Sequence, residues 1–180
     1  MKRIALIAVS IIFVIILFSC TYSSESQYDE NTNQHISAFG ISLQIPKVWD
    51  EKIEDEDSLQ YYDGKGGRFD HGISITVEKE EAFDEAVESL KENLKLSKEQ
   101  YHNTTDIVFK EDYVSDSPAV IAEYTGISDD KKYEYMTVVF QSEQNVIEID
   151  FFSIDQQGID DFQKVLDSIS FEEKSQITYL

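Results

Sequence analysis

The chain has 180 residues, with 36 acidic side chains against 15 basic ones and a formal net charge of −21. That excess argues against nucleic-acid binding, which needs a basic footprint, and against electrostatic attachment to anionic lipid. The single cysteine excludes any disulfide within the chain, so the fold must stand without covalent staples.

The first stretch is an address. Lys2 and Arg3 precede an apolar run over residues 4–18, interrupted only by Ser10, and the run ends Leu17-Phe18-Ser19-Cys20. A positive start, a short apolar core and a small residue before the cut are the parts of an export signal. The end of the run resembles the lipobox of bacterial lipoproteins, although Phe18 is bulkier than the residue that slot usually holds. The resemblance implies cleavage between Ser19 and Cys20 and a lipid thioether on Cys20, which ties the chain to the bilayer. Two acyl chains at about 0.8 kcal/mol per buried methylene suffice to hold it there. The alternative is an uncleaved helical anchor, which needs roughly 20 apolar residues and also leaves the bulk of the chain outside the cytoplasm. Removing residues 1–19 takes away two basic residues and no acidic ones, leaving 161 residues at a net charge of −23. That length is enough for one domain with a real core.

Residues 20–37 are polar and without apolar periodicity, which predicts a flexible tether. The domain is expected over 38–172, with a frayed tail over 173–180. Residues 39–45 alternate, with Ile41, Leu43 and Ile45 on one face, and Pro46 ends the strand. Trp49 follows, expected as a core lid. Residues 51–57 read as an acidic connector, 58–62 as a second strand, Asp63-Gly64-Lys65-Gly66-Gly67 as a turn, and 72–79 as a third strand. The period then changes to 3.6. Residues 81–96 place Phe83, Ala86, Val87, Leu90 and Leu94 on one stripe, with acids first and lysines last, as a helix on a sheet requires. Four more strands follow over 107–114, 119–127, 133–141 and 146–153, joined by tight turns and therefore antiparallel. Residues 156–168 read as a second helix. The expected class is α+β, a three-layer α/β/α sandwich around a mainly antiparallel sheet of about seven strands.

Two segments carry a family resemblance. The opening Phe39-Gly40-Ile41-Ser42-Leu43-Gln44-Ile45-Pro46-Lys47-Val48-Trp49 resembles the start of PsbP-like domains. The close, from Phe162 through Ser168-Ile169-Ser170-Phe171, is similar to their final helix and exit. The resemblance spans about 39–171. It implies the sandwich fold and no shared catalytic residues, since members do unrelated things, mostly by binding proteins.

The chemistry-bearing residues are sparse. His35, His71 and His102 lack metal-ligand spacing and read as solvated surface histidines. No Ser-His-Asp or Cys-His set and no cofactor motif can be assembled from the sequence. The Gly64-to-Arg68 turn lacks phosphate-loop spacing. The acidic runs Glu54-Asp55-Glu56-Asp57 and Asp129-Asp130 depart from the calcium-loop pattern. Tyr61, Tyr62, Tyr113, Tyr124, Tyr133 and Tyr135 fall in strands, where they either pave a recognition face or serve strand propensity. The expectation is a non-enzymatic, membrane-anchored extracytoplasmic lipoprotein that binds another protein, with no cofactor, metal or nucleic acid. A calcium- or small-ligand-binding module using the acidic loops is the alternative, and a hydrolase with an unrecognised site is the third.

Overall fold

In the computed structural model, residues 32–63, 70–78, 82–101, 104–128, 131–142 and 145–172 are described. The signal segment, Cys20, residues 20–31 of the expected tether, the Gly64-to-Arg68 turn, Asp129, Asp130, His102 and the tail beyond 172 lie outside them.

The described chain begins with a hairpin. β1 (Asn33–Ala38) pairs antiparallel with β2 (Ile41–Pro46), Ala38 standing opposite Ile41. The two residues between them, Phe39 and Gly40, both have positive φ, 55° and 82°, as the favoured two-residue hairpin turn demands. This corrects two expectations: residues 33–37 are strand rather than tether, and Phe39 is turn rather than strand. β1 buries Ile36 and packs Ala38 only partly against the core, so its hydrophobic pattern is too thin to read. The turn and the ladder with β2 hold it.

Residues 51–57 are also more than a connector. β3 (Glu51–Glu54) pairs with β4 (Ser58–Tyr62), which pairs with β5 (His71–Glu78). Helix α1 (Phe83–Leu96) runs on into a π-helical turn at Ser97–Tyr101. β6 (Thr104–Val114), β7 (Ser117–Ser128), β8 (Lys131–Gln141) and β9 (Val146–Ser153) form an antiparallel meander. Helix α2 (Gln156–Asp167) and the two-residue β10 (Ser170–Phe171) close the chain. The described strands make a seven-stranded sheet, β3-β4-β5-β9-β8-β7-β6, and a three-stranded sheet, β1-β2-β10.

Alternation along β8 separates the layers. Val138 and Phe140 point into a core shared with α2 and the small sheet, through Phe162, Val165, Leu43 and Trp49. Val139 points the other way, joining Ala122 and Val146 beneath Val87, Leu90 and Leu94 of α1. Two helices on opposite faces of an antiparallel sheet make the α+β sandwich in three layers.

The two family segments meet. Phe171 pairs with Ile41 and Ser170 with Ser42, whose hydroxyls lie 2.9 Å apart. The Gln44 amide donates to Ser168 Oγ at 2.9 Å. Trp49 is buried, 2% exposed, its ring 6.1 Å from that of Phe162 at 60°. The opening and closing residues are thus one clasp, and the sequence similarity marks packing rather than chemistry.

Candidate functional site

The structure brings together a serine, a histidine and an aspartate that sequence spacing does not. His71 at the start of β5 shares a 2.8 Å hydrogen bond between Nδ1 and Ser153 Oγ, and its Nε2 lies 3.8 Å from Asp155 Oδ2. His71 lies 82 residues before Ser153, and the β5–β9 register, in which the two stand opposite, brings it to Ser153 and Asp155. The arrangement is wrong for a nucleophile. Ser153 is fully buried, and its Oγ donates to the Asp155 carbonyl at 2.9 Å while accepting from the Asp155 amide at 3.1 Å. Its one proton is committed there, so His71 is the donor at Nδ1, the reverse of a general base. Asp155 Oδ1 also accepts from the Gly158 amide at 3.0 Å, capping α2. The trio fastens the helix start to the sheet, and His71 is a partly buried structural residue rather than a solvated one.

The acidic hairpin between β3 and β4 is likewise occupied with itself. Asp55 Oδ1 accepts from the amides of Asp57 and Ser58 at 3.1 and 2.8 Å, shaping the turn. Hydrogen bonds from the Ser58 side chain and from these amides hold the Asp55 carboxyl below its ordinary range. Glu54 pairs with Lys52 at 2.5 Å. Among the described residues no group of three potential metal ligands converges.

Four of the six strand tyrosines do share a surface. Tyr62, Tyr133, Tyr135 and Tyr124 lie on the α1 side of the large sheet, linked through Phe152. Tyr124 and Tyr135 stack with centroids 5.1 Å apart and planes 7° from parallel. Gly72 makes the row possible, since a Cβ there would stand 2.5 Å from Tyr62 and 2.8 Å from Phe152. Tyr61 faces the other core, and Tyr113 stands alone on β6, 71% exposed. Beside the row sits Asp150, opposite Ser74 on β5 and Thr137 on β8. Thr137 Oγ1 donates to Asp150 Oδ1 at 2.6 Å, so the Tyr124 hydroxyl, 3.3 Å from Thr137 Oγ1, is the donor to it. Burial raises the Asp150 pKa against the effect of the Thr137 bond, and burial pushes Tyr124 up to about 12. This is a self-satisfied relay that ties three strands together.

The open surface lies at one edge of the sheet. The two edges differ: β3 is four residues long and bears Glu51, Lys52 and Glu54, a guarded edge. β6 is 11 residues long, and from Val108 to Tyr113 every side chain is exposed. A groove of about 800 Å³ runs between β6 and α1, with Phe83, Val87, Phe109, Tyr113 and Val120 among its lining. Phe109 remains 40% exposed beside it. The signal in the sequence is Val108-Phe109 and Tyr113 flanking the charged Lys110-Glu111-Asp112, apolar residues on both faces of an edge.

The solution structure of cyanobacterial PsbP (CyanoP) from Synechocystis sp. PCC 6803 superposes with a TM-score of 0.60 at 12% identity, covering 83% of this chain and 98% of that one. The fold is PsbP-like. A crystal structure from Bacteroides thetaiotaomicron VPI-5482 matches with a TM-score of 0.56 at 14% identity, over 79% of this chain and 50% of that one. The chain therefore spans about half the length of the Bacteroides protein. No family model and no curated protein matches the sequence. The PsbP-like likeness is one of fold, and at such identities function does not travel with it.

Proposed function

We propose that this protein is a lipid-anchored extracytoplasmic accessory module that carries out no catalysis and binds another exported or membrane protein. The observation that carries the reading is the groove beside β6, where apolar rings stay open on an otherwise acidic surface. The export signal ending at Cys20 supports the location. The inert Ser153–His71–Asp155 trio and the self-bonded acidic hairpin favour binding over hydrolysis or calcium capture. Cross-linking in native membranes tests it: a discrete partner recovered with the native chain and lost with Phe109→Ser is the expected result. Retrieval unchanged by that variant, or no partner at native expression, sinks it. Cys20→Ser addresses the anchor separately, and is expected to keep the leader's mass and take up no labelled palmitate.

A further inference from the structure

β6 has a second property besides its exposed rings: an unpaired flank of backbone. In an antiparallel ladder the N–H and C=O of one residue point to the same side, and successive residues alternate. Two observations fix the phase here. Tyr113 stands opposite Pro118, which has no N–H to give. The Tyr113 amide instead donates to the side chain of its own neighbour, Asp112 Oδ1, at 2.8 Å. Tyr113 therefore points its backbone away from β7. The register is unbroken from Val108 to Val114, so Phe109 and Glu111 do the same. Their side chains fall on the groove side, so the outward backbone groups and the groove belong to the same residues.

The usual guards of an edge strand are displaced. The bulge lies upstream, between Thr105 and Val108, with Asp106 at φ 54°. Lys110 is drawn to Glu123 on β7 at 2.5 Å. Among the described residues, the Asp112 bond to the Tyr113 amide is the one that screens the exposed half. The groove side carries Asp84, Glu88 and Glu111 against Lys91, which pairs with Glu88, so an acidic excess remains there.

Building on the protein-binding reading, we infer that β6 receives an extended segment of a protein partner as an added strand, one whose groove-facing side chains, at every second residue, are apolar and cationic in turn. Main-chain bonds from Phe109 and Glu111 supply the pairing and the groove takes the apolar side chains. Carboxylates on the rim select for lysine or arginine, as strand addition with side-chain pockets does elsewhere.

The probe is a capped octapeptide in which valine and lysine take turns at every second position with threonine between them, titrated into the full-length protein in zwitterionic detergent. Two controls accompany it: the same peptide N-methylated at alternate residues, and one with glutamate in place of lysine. Binding should slow hydrogen exchange at the Phe109 and Glu111 amides about tenfold or more, and both controls should bind at least about tenfold more weakly. Equal binding by the N-methylated peptide overturns strand addition while leaving a partner at the groove. Equal binding by the glutamate peptide overturns the charge selection, and bound peptide without amide protection overturns the place. Protection of these amides before any peptide is added, in a species that sediments as a dimer, assigns the edge to a second copy and overturns the inference. Failure of the function itself reads differently: the peptide binds with protection, yet cross-linking in membranes retrieves nothing.

Discussion

The two faces of the large sheet are built to different standards. On the α2 side, 22 described residues are buried in one cluster that includes Trp49, Phe140, Phe151 and Phe162. On the α1 side only seven are, and none is aromatic. The rest of that face carries the tyrosine row, Asp150 with its hydroxyl relay, and the open groove. One face holds the fold together, and the other carries the aromatic row, the polar relay and the groove. The contrast predicts a difference in sensitivity. Phe162→Ala removes a fully buried ring packed on Trp49 and Phe151, and should cost about 3–5 kcal/mol by denaturant titration. Leu90→Ala on α1 should cost about 2 kcal/mol, the bottom of the range for such truncations. Equal losses would erase the distinction between the faces.

The helix fastening is the next place to press. A Cβ on Gly158 would lie 2.0 Å from Ser153 Oγ and 2.7 Å from His71 Nδ1. Gly158→Ala should therefore destabilise by about 1–3 kcal/mol, the usual cost of overpacking, although alanine is the better helix former. If the trio were a catalytic site, its disruption would show in turnover; as a fastening it shows in the melt alone.

Much of this was legible from residue order and some was not, for identifiable reasons. Both helices and the meander announced themselves through period and turn residues, and Val146 to Ser153 was placed without error. β1 and β3 escaped because each is mostly polar and is held by a neighbour's backbone rather than by its own pattern. The His71–Ser153–Asp155 contact was invisible because 82 residues separate the first two and only the sheet register joins them. The clasp was visible as a likeness before its physical meaning was. The groove was the hardest to see, since an edge strand is known as an edge only once its neighbours are known.

Asp150 offers a prediction of opposite sign. Burial raises its pKa in the folded chain above the unfolded value, so the unfolded state loses its proton first. Ionisation above the folded pKa therefore lowers stability, and stability returns as pH falls through that pKa toward the ordinary carboxylate range. Asp150→Asn keeps an acceptor for Thr137 and abolishes the titration. The variant should melt higher than the native protein at neutral pH, with the gap closing on acidification. A lower melting temperature at neutral pH would mean that the relay depends on the charge itself.

The smallest stability effect is expected where the binding effect is largest. Phe109 and Tyr113 are 40% and 71% exposed, so Phe109→Ser and Tyr113→Ser should each leave stability within about 0.5 kcal/mol of native. Exposed rings beside a groove have little to lose on unfolding, yet aromatic anchors at the centre of an interface typically cost about 2 kcal/mol or more of binding when removed. The same substitutions should therefore abolish retention of the cross-linked partner while the melting curve barely moves. A fall of several degrees in the melt would place these rings in the fold's own core and return the α1 face to the same standard as the other.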